Sequence, residues 1–224
     1  MEKIEKYLGG IPEPTLRRIP KYIELLRGMQ KTKAKYVSSN FIADKLNLDS
    51  IQVRKDLAIT GIIGKPKLGF CLDELIRTLY HTLNWDNLND AFLVGIGSLG
   101  SAIIGYPTFS SYGLNIVAAF DNDPEKIGKT INGTEILPVT KLAEMIRRMK
   151  INIGILTVPA ENAQEIAEVM TEAGINAIWN FAPIHLNVNK DVIVENAQLT
   201  QSLGVLTHKL ATKLKKDSIL MFNN

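Results

Sequence analysis

The sequence predicts an α/β chain of two unlike parts: a small helical unit with a winged helix-turn-helix pattern, then a parallel sheet wrapped by helices. A long helix closes the chain. Three observations carry this. In the first third, two short helical patterns flank a three-residue turn and lead into a glycine-punctuated segment. From Ala91 onward, apolar β-prone runs alternate with helical stretches. Near the end, leucines fall at 199, 203, 206, 210 and 214, the spacing of one helical stripe.

The helical unit begins with Pro12 and Pro14 ahead of a helix expected over 15–30, whose stripe is Leu16, Ile19, Tyr22, Ile23 and Leu26. Ser38 and Ser39 are N-cap candidates for a second helix, and Asn47 suits the left-handed residue that ends it. Asp49 or Ser50 can cap a third helix, with Ile51, Val53, Leu57 and Ile59 as its apolar positions. Gly61, Gly64, Pro66 and Gly69 exclude a helix over 62–70, which reads as a small hairpin with Lys65 and Lys67 at its tip, the wing. One more helix over 72–83 closes a unit of residues 1–83, and the polar stretch 84–90 is the expected linker.

AFLVGIG, LNIVAAFD, INIGILTV and INAIWNFA then read as strands, separated by helices near 99–104, 140–149 and 160–173. Such alternation gives a parallel sheet covered on both faces. That part spans 91–196, with a last strand at 192–195; the leucine-striped helix occupies 197–216 and a tail 217–224.

Composition bounds the function. The chain has 224 residues, 46% hydrophobic and 22% charged, ordinary values for a globular protein. No apolar run reaches a membrane-spanning length of about 18 residues, and the first ten residues lack the apolar core of a secretory signal. The single cysteine, Cys71, excludes an internal disulfide framework and a multi-thiolate zinc site, so a cytoplasmic protein is expected. Residues 1–82 hold 15 Lys+Arg against 9 Asp+Glu, a balance of +6, while the remainder holds 11 against 14, a balance of −3. The basic part is the candidate polyanion binder.

Two motifs carry chemistry. Gly95-Ile96-Gly97-Ser98-Leu99-Gly100 is a GxGxxG that follows an apolar strand and opens a helix, the context of a Rossmann-like dinucleotide fold. Gly95 permits the turn, Gly97 lets backbone approach a pyrophosphate, and Gly100 lets helix pack on strand. Asp121 ends the next strand, 21 residues after Gly100, where a carboxylate can bind the adenosine ribose and repel a 2′-phosphate, so NAD(H) is favoured. In the basic part the third helix offers Ser50, Gln52, Arg54 and Lys55, types suited to base edges, with Asp56 also polar. Ser38, Ser39, Lys35, Lys65 and Lys67 suit phosphate or minor-groove contacts.

His81, His185 and His208 stand in no metal-ligand spacing, and no catalytic constellation emerges. The 134 residues after the linker leave no room for a substrate domain beside the dinucleotide fold, which favours binding without turnover. Alternatives from the residues alone are a small NAD-dependent oxidoreductase or CoA-binding-type domain with an accessory winged helix, and an adaptor that docks a protein. The terminal leucine stripe calls for a partner across a two-fold axis, giving a homodimer.

RRIPKYIELL (17–26), SSNFIADKLNL (38–48), VRKDLAITGIIGKPKLGF (53–70), GIGSLGSAIIGYPTF (95–109), FDNDPEKIG (120–128) and VPAENAQEIAEVMTEAGINAIWNFAP (158–183) together resemble the Rex family of redox-sensing transcriptional repressors. The likeness runs along nearly the whole chain. It implies a homodimer that binds operator double-stranded DNA when NADH is scarce and leaves it when NADH accumulates, with NADH and NAD+ as regulatory ligands. It places Arg54 and Lys55 in the recognition helix, Lys65 and Lys67 in the wing, and Val158 and Pro159 beside the cofactor fingerprint. It also implies a domain-swapped C-terminal helix that reaches towards the partner's nicotinamide pocket, and a switch joining Arg18, and Tyr106 after the nucleotide-binding helix, to the start of that C-terminal helix; Tyr106 is also expected at the cofactor. Three positions depart from the family pattern. Gln198 stands where relatives carry aspartate, Ser98 where they often carry arginine, and Pro66-Lys67 where they often carry Arg-Gly.

Overall fold

The computed structural model describes residues 10–106, 108–197 and 199–222. It divides into two compact units, one running through Leu88 and including Ser111–Gly113, the other made of Asn89–Ser110 and the residues from Leu114 onward.

The first unit holds α1 (Glu13–Leu16), α2 (Ile19–Gln30), β1 (Tyr36–Val37), α3 (Ser39–Leu46), α4 (Ser50–Ile59), β2 (Phe70–Cys71) and α5 (Leu72–Thr82). The single helix expected over 15–30 is therefore two. Pro20 in the first turn of α2 has no N–H to give the Leu16 carbonyl, so the helix restarts. The helix-turn-helix is fixed by its caps. Ser38 Oγ accepts from the Phe41 N–H, Asn47 ends α3 at φ 51°, and Asp49 Oδ1 accepts from the N–H groups of Ile51 and Gln52. The core packs Ile19, Tyr22, Ile23, Ile42, Val53 and Leu57 against α5. β1 pairs antiparallel with β2, and Lys65 and Gly69 exchange backbone hydrogen bonds to close the wing, with Lys67 in the left-handed region at φ 64°. A Cβ on Gly69 would strike the Val37 carbonyl, so the wing crosses β1 where only glycine fits.

The apolar residues of α4 do not share one face. Ile51 is 57% exposed, while Val53, Asp56 and Leu57 face the core. At about 100° per residue, position 51 lies some 200° from 53, so both cannot face inward.

The second unit is a seven-stranded sheet in the order β5-β6-β4-β3-β7-β8-β9. Its strands are β3 (Asn89–Val94), β4 (Leu114–Asp121), β5 (Thr130–Ile131), β6 (Thr134–Pro138), β7 (Ile153–Leu156), β8 (Ala177–Asn180) and β9 (Ile193–Asn196). All neighbours are parallel except β5 and β6. Numbered among themselves, the parallel strands run 3-2-1-4-5-6, the doubly wound order. β3 buries Ala91 and Leu93 on the face covered by α6 (Ser98–Ile104), and Phe92 and Val94 on the face covered by α7 (Leu142–Met149) and α8 (Ala160–Ala173). This two-sided burial is why the strand reads as a continuous apolar run. Asn89 and Asp90, expected at the end of a linker, already pair with β4, and Asn115 Nδ2 donates to Asp90 at 2.7 Å.

The β5–β6 hairpin was not anticipated. Its signal is Asn132-Gly133, both at positive φ, a tight hairpin turn. The last helix, α9 (Leu199–Phe222), carries exposed Leu203, Val205, Leu206, Leu210 and Leu214. Among the described residues no helix is long and apolar enough to cross a membrane.

Candidate functional site

Each unit holds a candidate site. In the first, the inward face of α4 is Val53, Asp56 and Leu57, so its outward stripe is Ile51, Arg54, Lys55 and Ala58. Arg54 and Lys55 are exposed, Ser50 is half-buried in the first turn, and Ser38 caps α3 while Ser39 starts it. In the wing Lys65 Nζ lies 3.2 Å from Tyr36 Oη and 5.5 Å from the centre of that ring, and this hydrogen bond raises the lysine's pKa. Lys35 and Lys67 are exposed.

Beneath this surface is a cluster the sequence did not disclose. Asp56 is 1% exposed, and its carboxylate accepts from Arg18 Nε at 2.6 Å, Arg18 Nη2 at 2.8 Å, Tyr22 Oη at 2.6 Å, Thr15 Oγ1 at 2.9 Å and Gln52 Nε2 at 2.9 Å. Burial alone would push this carboxyl up, but the donors from Arg18, Tyr22, Gln52 and Thr15 outweigh it and hold it at about 2. The same bonds raise Arg18, while burial and then Asp56 raise Tyr22. Asp56 is therefore an internal anchor for α4. Gln52 is turned toward it, and because a carboxylate only accepts, the amide nitrogen must face inward. Polarity at position 56 was visible in the sequence; which way it pointed depended on Arg18 and Tyr22, more than thirty residues away.

In the second unit a cavity of about 620 Å³ opens beyond the C-terminal ends of β3, β4 and β7, lined by Gly95, Ile96, Gly97, Ser98, Leu99, Asp121, Thr157, Val158 and Pro159, among others. The three glycines do three different things. Gly95 has φ 98°, and a Cβ there would lie 2.8 Å from Val158 and 2.9 Å from Thr157. A Cβ on Gly100 would strike the Gly95 carbonyl. A Cβ on Gly97 would meet nothing within 4 Å, so its hydrogen leaves free space beside the first turn of α6, where helical N–H groups have no partner within the helix. Such a cradle fits a pyrophosphate.

Asp121 is 7% exposed; Oδ2 accepts from the Ile96 N–H at 2.6 Å and Oδ1 from the Asp123 N–H at 2.9 Å. Burial raises this carboxyl, but those backbone donors and Lys126 lower it overall. Lys126 Nζ is 3.3 Å from Asp121 Oδ2 and 3.4 Å from Asp123 Oδ2. Sequence reasoning missed Lys126, and also Thr157, whose hydroxyl lies 2.7 Å from the Gly95 carbonyl. Tyr106 does not line this cavity. It lies 5.1 Å from Phe109 between ring centres, beside a second hollow bounded by Ile104, Gly105 and Asn132. Arg18 is in the first unit, paired with Asp56, and Gln198 lies outside the described residues.

Two family models match the chain: a CoA binding domain over residues 86–184 and a putative DNA-binding protein N-terminus over 10–58. The redox-sensing transcriptional repressor Rex of Treponema denticola is 43% identical over 200 residues, spanning 89% of this chain and 95% of that protein. The chain belongs to the Rex family. Rex of Bacteroides fragilis is 40% identical over 89% of this chain and 91% of its own length. Among solved structures, the Rex-family repressor RSP in complex with β-NAD+ and operator DNA superposes with a TM-score of 0.85 at 35% identity, covering 94% of this chain and 97% of that one. RSP in complex with β-NADH gives 0.85 at 34% identity over 93% and 98%. The resemblance to Rex repressors is thus the family itself, and the winged helix joined to a Rossmann-like sheet is its fold.

Proposed function

We propose that this chain is a redox-sensing repressor that binds operator DNA as a homodimer and releases it as NADH rises relative to NAD+. The observation that carries this is the pairing, within one chain, of a basic outward stripe on α4 with a glycine cradle shaped for a dinucleotide. The family relatives named for repression, and RSP with its two nucleotides and operator, support it.

In this reading residues 1–83 hold the DNA, the sheet that begins with β3 at Asn89 holds the nucleotide, and α9 holds the dimer. Arg54, Lys55 and Ser50 face base edges, with Gln52 behind them, while Ser38, Ser39, Lys65 and Lys67 hold phosphates. Gly95, Ile96, Gly97, Ser98, Leu99 and Gly100 take the pyrophosphate, Asp121 takes the adenosine ribose, and Val158 and Pro159 wall the same cavity, from which Tyr106 stands apart. NAD+ carries a charged ring and NADH a neutral one, so burying that end favours NADH on desolvation grounds. Arg18, Tyr106 and Gln198 form the coupling network. The exposed leucines of α9 are covered by a second copy across a two-fold axis, which sets the spacing of two recognition helices. The nucleotide acts as signal and not as reagent, and the protein works in the cytoplasm. A mobility shift of a genomic fragment pool, with and without NADH, tests this; turnover of a substrate without sequence-selective DNA binding would favour an oxidoreductase instead.

A further inference from the structure

We propose that Ile51 is a base-reading residue that packs on the C5-methyl group of a thymine in the major groove. The proposal rests on the reading that α4 enters that groove, and it deepens it. Ile51 is the one large aliphatic side chain on the outward stripe of α4, in line with Arg54, Lys55 and Ala58 at the spacings that share a helix face. Its neighbours on the stripe are two exposed cations and a methyl, with no carboxylate among them.

An occupant of this face must therefore be anionic yet offer an apolar spot. Duplex DNA does so in its major groove, where thymine alone among the four bases presents a methyl group between phosphate rails. The position within the helix agrees. Ile51 stands in the first turn of α4, and recognition helices meet base edges with their N-terminal residues. Asp49 Oδ1 holds the Ile51 N–H at 2.7 Å, which fixes its backbone. The β-branched side chain has essentially one χ1 state in a helix, so little side-chain freedom is lost on contact. Arg54 and Lys55, one turn on, supply hydrogen bonds and charge, and Ile51 adds discrimination that neither can make, thymine against cytosine by shape.

The test uses the full-length protein and a duplex that it selects from a randomised pool. Each thymine of that duplex is replaced singly by deoxyuridine, which removes the methyl and leaves base pairing intact. One thymine in each half-site should weaken binding by about fourfold, the equivalent of one buried methyl. Ile51→Ala should bind the thymine and deoxyuridine duplexes equally at that position, and Ile51→Val should keep part of the difference. If wild type and Ile51→Ala respond alike to every deoxyuridine, Ile51 does not read a methyl and this face of α4 serves another partner. If no duplex is selected at all, the DNA-binding reading itself fails, and this inference with it.

Discussion

Arg18 and Asp56 meet in a two-point ion pair, Nε to Oδ2 at 2.6 Å and Nη2 to Oδ1 at 2.8 Å, which ties the start of α2 to the inward face of α4. The carboxylate is buried and the guanidinium partly exposed. With Tyr22, Thr15 and Gln52 also donating, every lone-pair direction of Asp56 is used.

Removing the charge should therefore hurt more than an ordinary surface change. Asp56→Asn leaves Arg18 without its anion and replaces one acceptor oxygen by a donor that faces other donors. Breaking such a pair costs on the order of 3 kcal/mol, read as a fall in the urea midpoint. The pH dependence follows from the depressed pKa. Asp56 is held at about 2 against an ordinary 3.8, so its contribution is fully present above pH 3.8 and is lost as pH falls toward 2. Over that window wild type should lose about 2 kcal/mol of stability that Asp56→Asn never had. Parallel acid curves for the two proteins would remove Asp56 from the account.

The same pair bears on the proposed switch. On the proposed coupling of Arg18 to Gln198, a neutral amide would draw the guanidinium from Asp56 less strongly than a carboxylate would. Gln198→Asp should therefore enlarge the factor by which NADH weakens operator binding, by several-fold. The measurement is operator affinity with and without saturating NADH. An unchanged ratio would mean that Arg18 does not take part in coupling.

Asp121 pairs with Lys126 and, on the proposed reading, also holds the adenosine ribose. Asp121→Ala should weaken NADH by about 1–3 kcal/mol, the value of hydrogen bonds to a charged group. It also leaves Lys126, now 3.3 Å away, paired with Asp123 alone and better able to attract a 2′-phosphate, so NADPH should gain relative to NADH. Adding Lys126→Met should reverse the NADPH gain without restoring NADH. Calorimetry of the three proteins against both nucleotides checks this, and equal NADPH binding by the single and double variants would show that Lys126 does not face that site.

How much of this was legible beforehand depended on whether the signal was local. Ser38, Asn47 and Asp49 act on backbone within four residues, so the helix-turn-helix could be read directly. Gly95, Gly97 and Gly100 likewise announce a turn whose demands are written in their lack of a side chain. Asp56 and Lys126 were not legible, because a charge tells nothing of its direction until its partner is placed. Ile51 shows the same for an apolar residue, because only its angular position on α4 decides that it lies outside. Pro20 broke a helix that periodicity alone had joined.

On DNA, Arg54→Ala should cost about 1–3 kcal/mol and relax base preference at one position. Lys65→Ala should weaken all sequences alike and lower the salt slope by about one unit. Full operator specificity in Arg54→Ala would move base readout to Ser50 and Ile51, since Gln52 is engaged with Asp56.

A sensor requires that its two ligands know of each other. A ligand shifts a conformational equilibrium only by the difference in its affinity for the two states. If NADH weakens operator binding by a given factor, operator must weaken NADH binding by the same factor, because both describe one cycle of equilibria. Useful control of occupancy needs a coupling of about 1–3 kcal/mol per ligand. Titrating NADH into the protein, alone and with saturating operator duplex, should therefore give dissociation constants that differ by roughly five- to 150-fold. NAD+ should show a smaller ratio in the same experiment. Equal NADH affinities in the two titrations would leave a DNA-binding protein that also holds a nucleotide, with no linkage between the two.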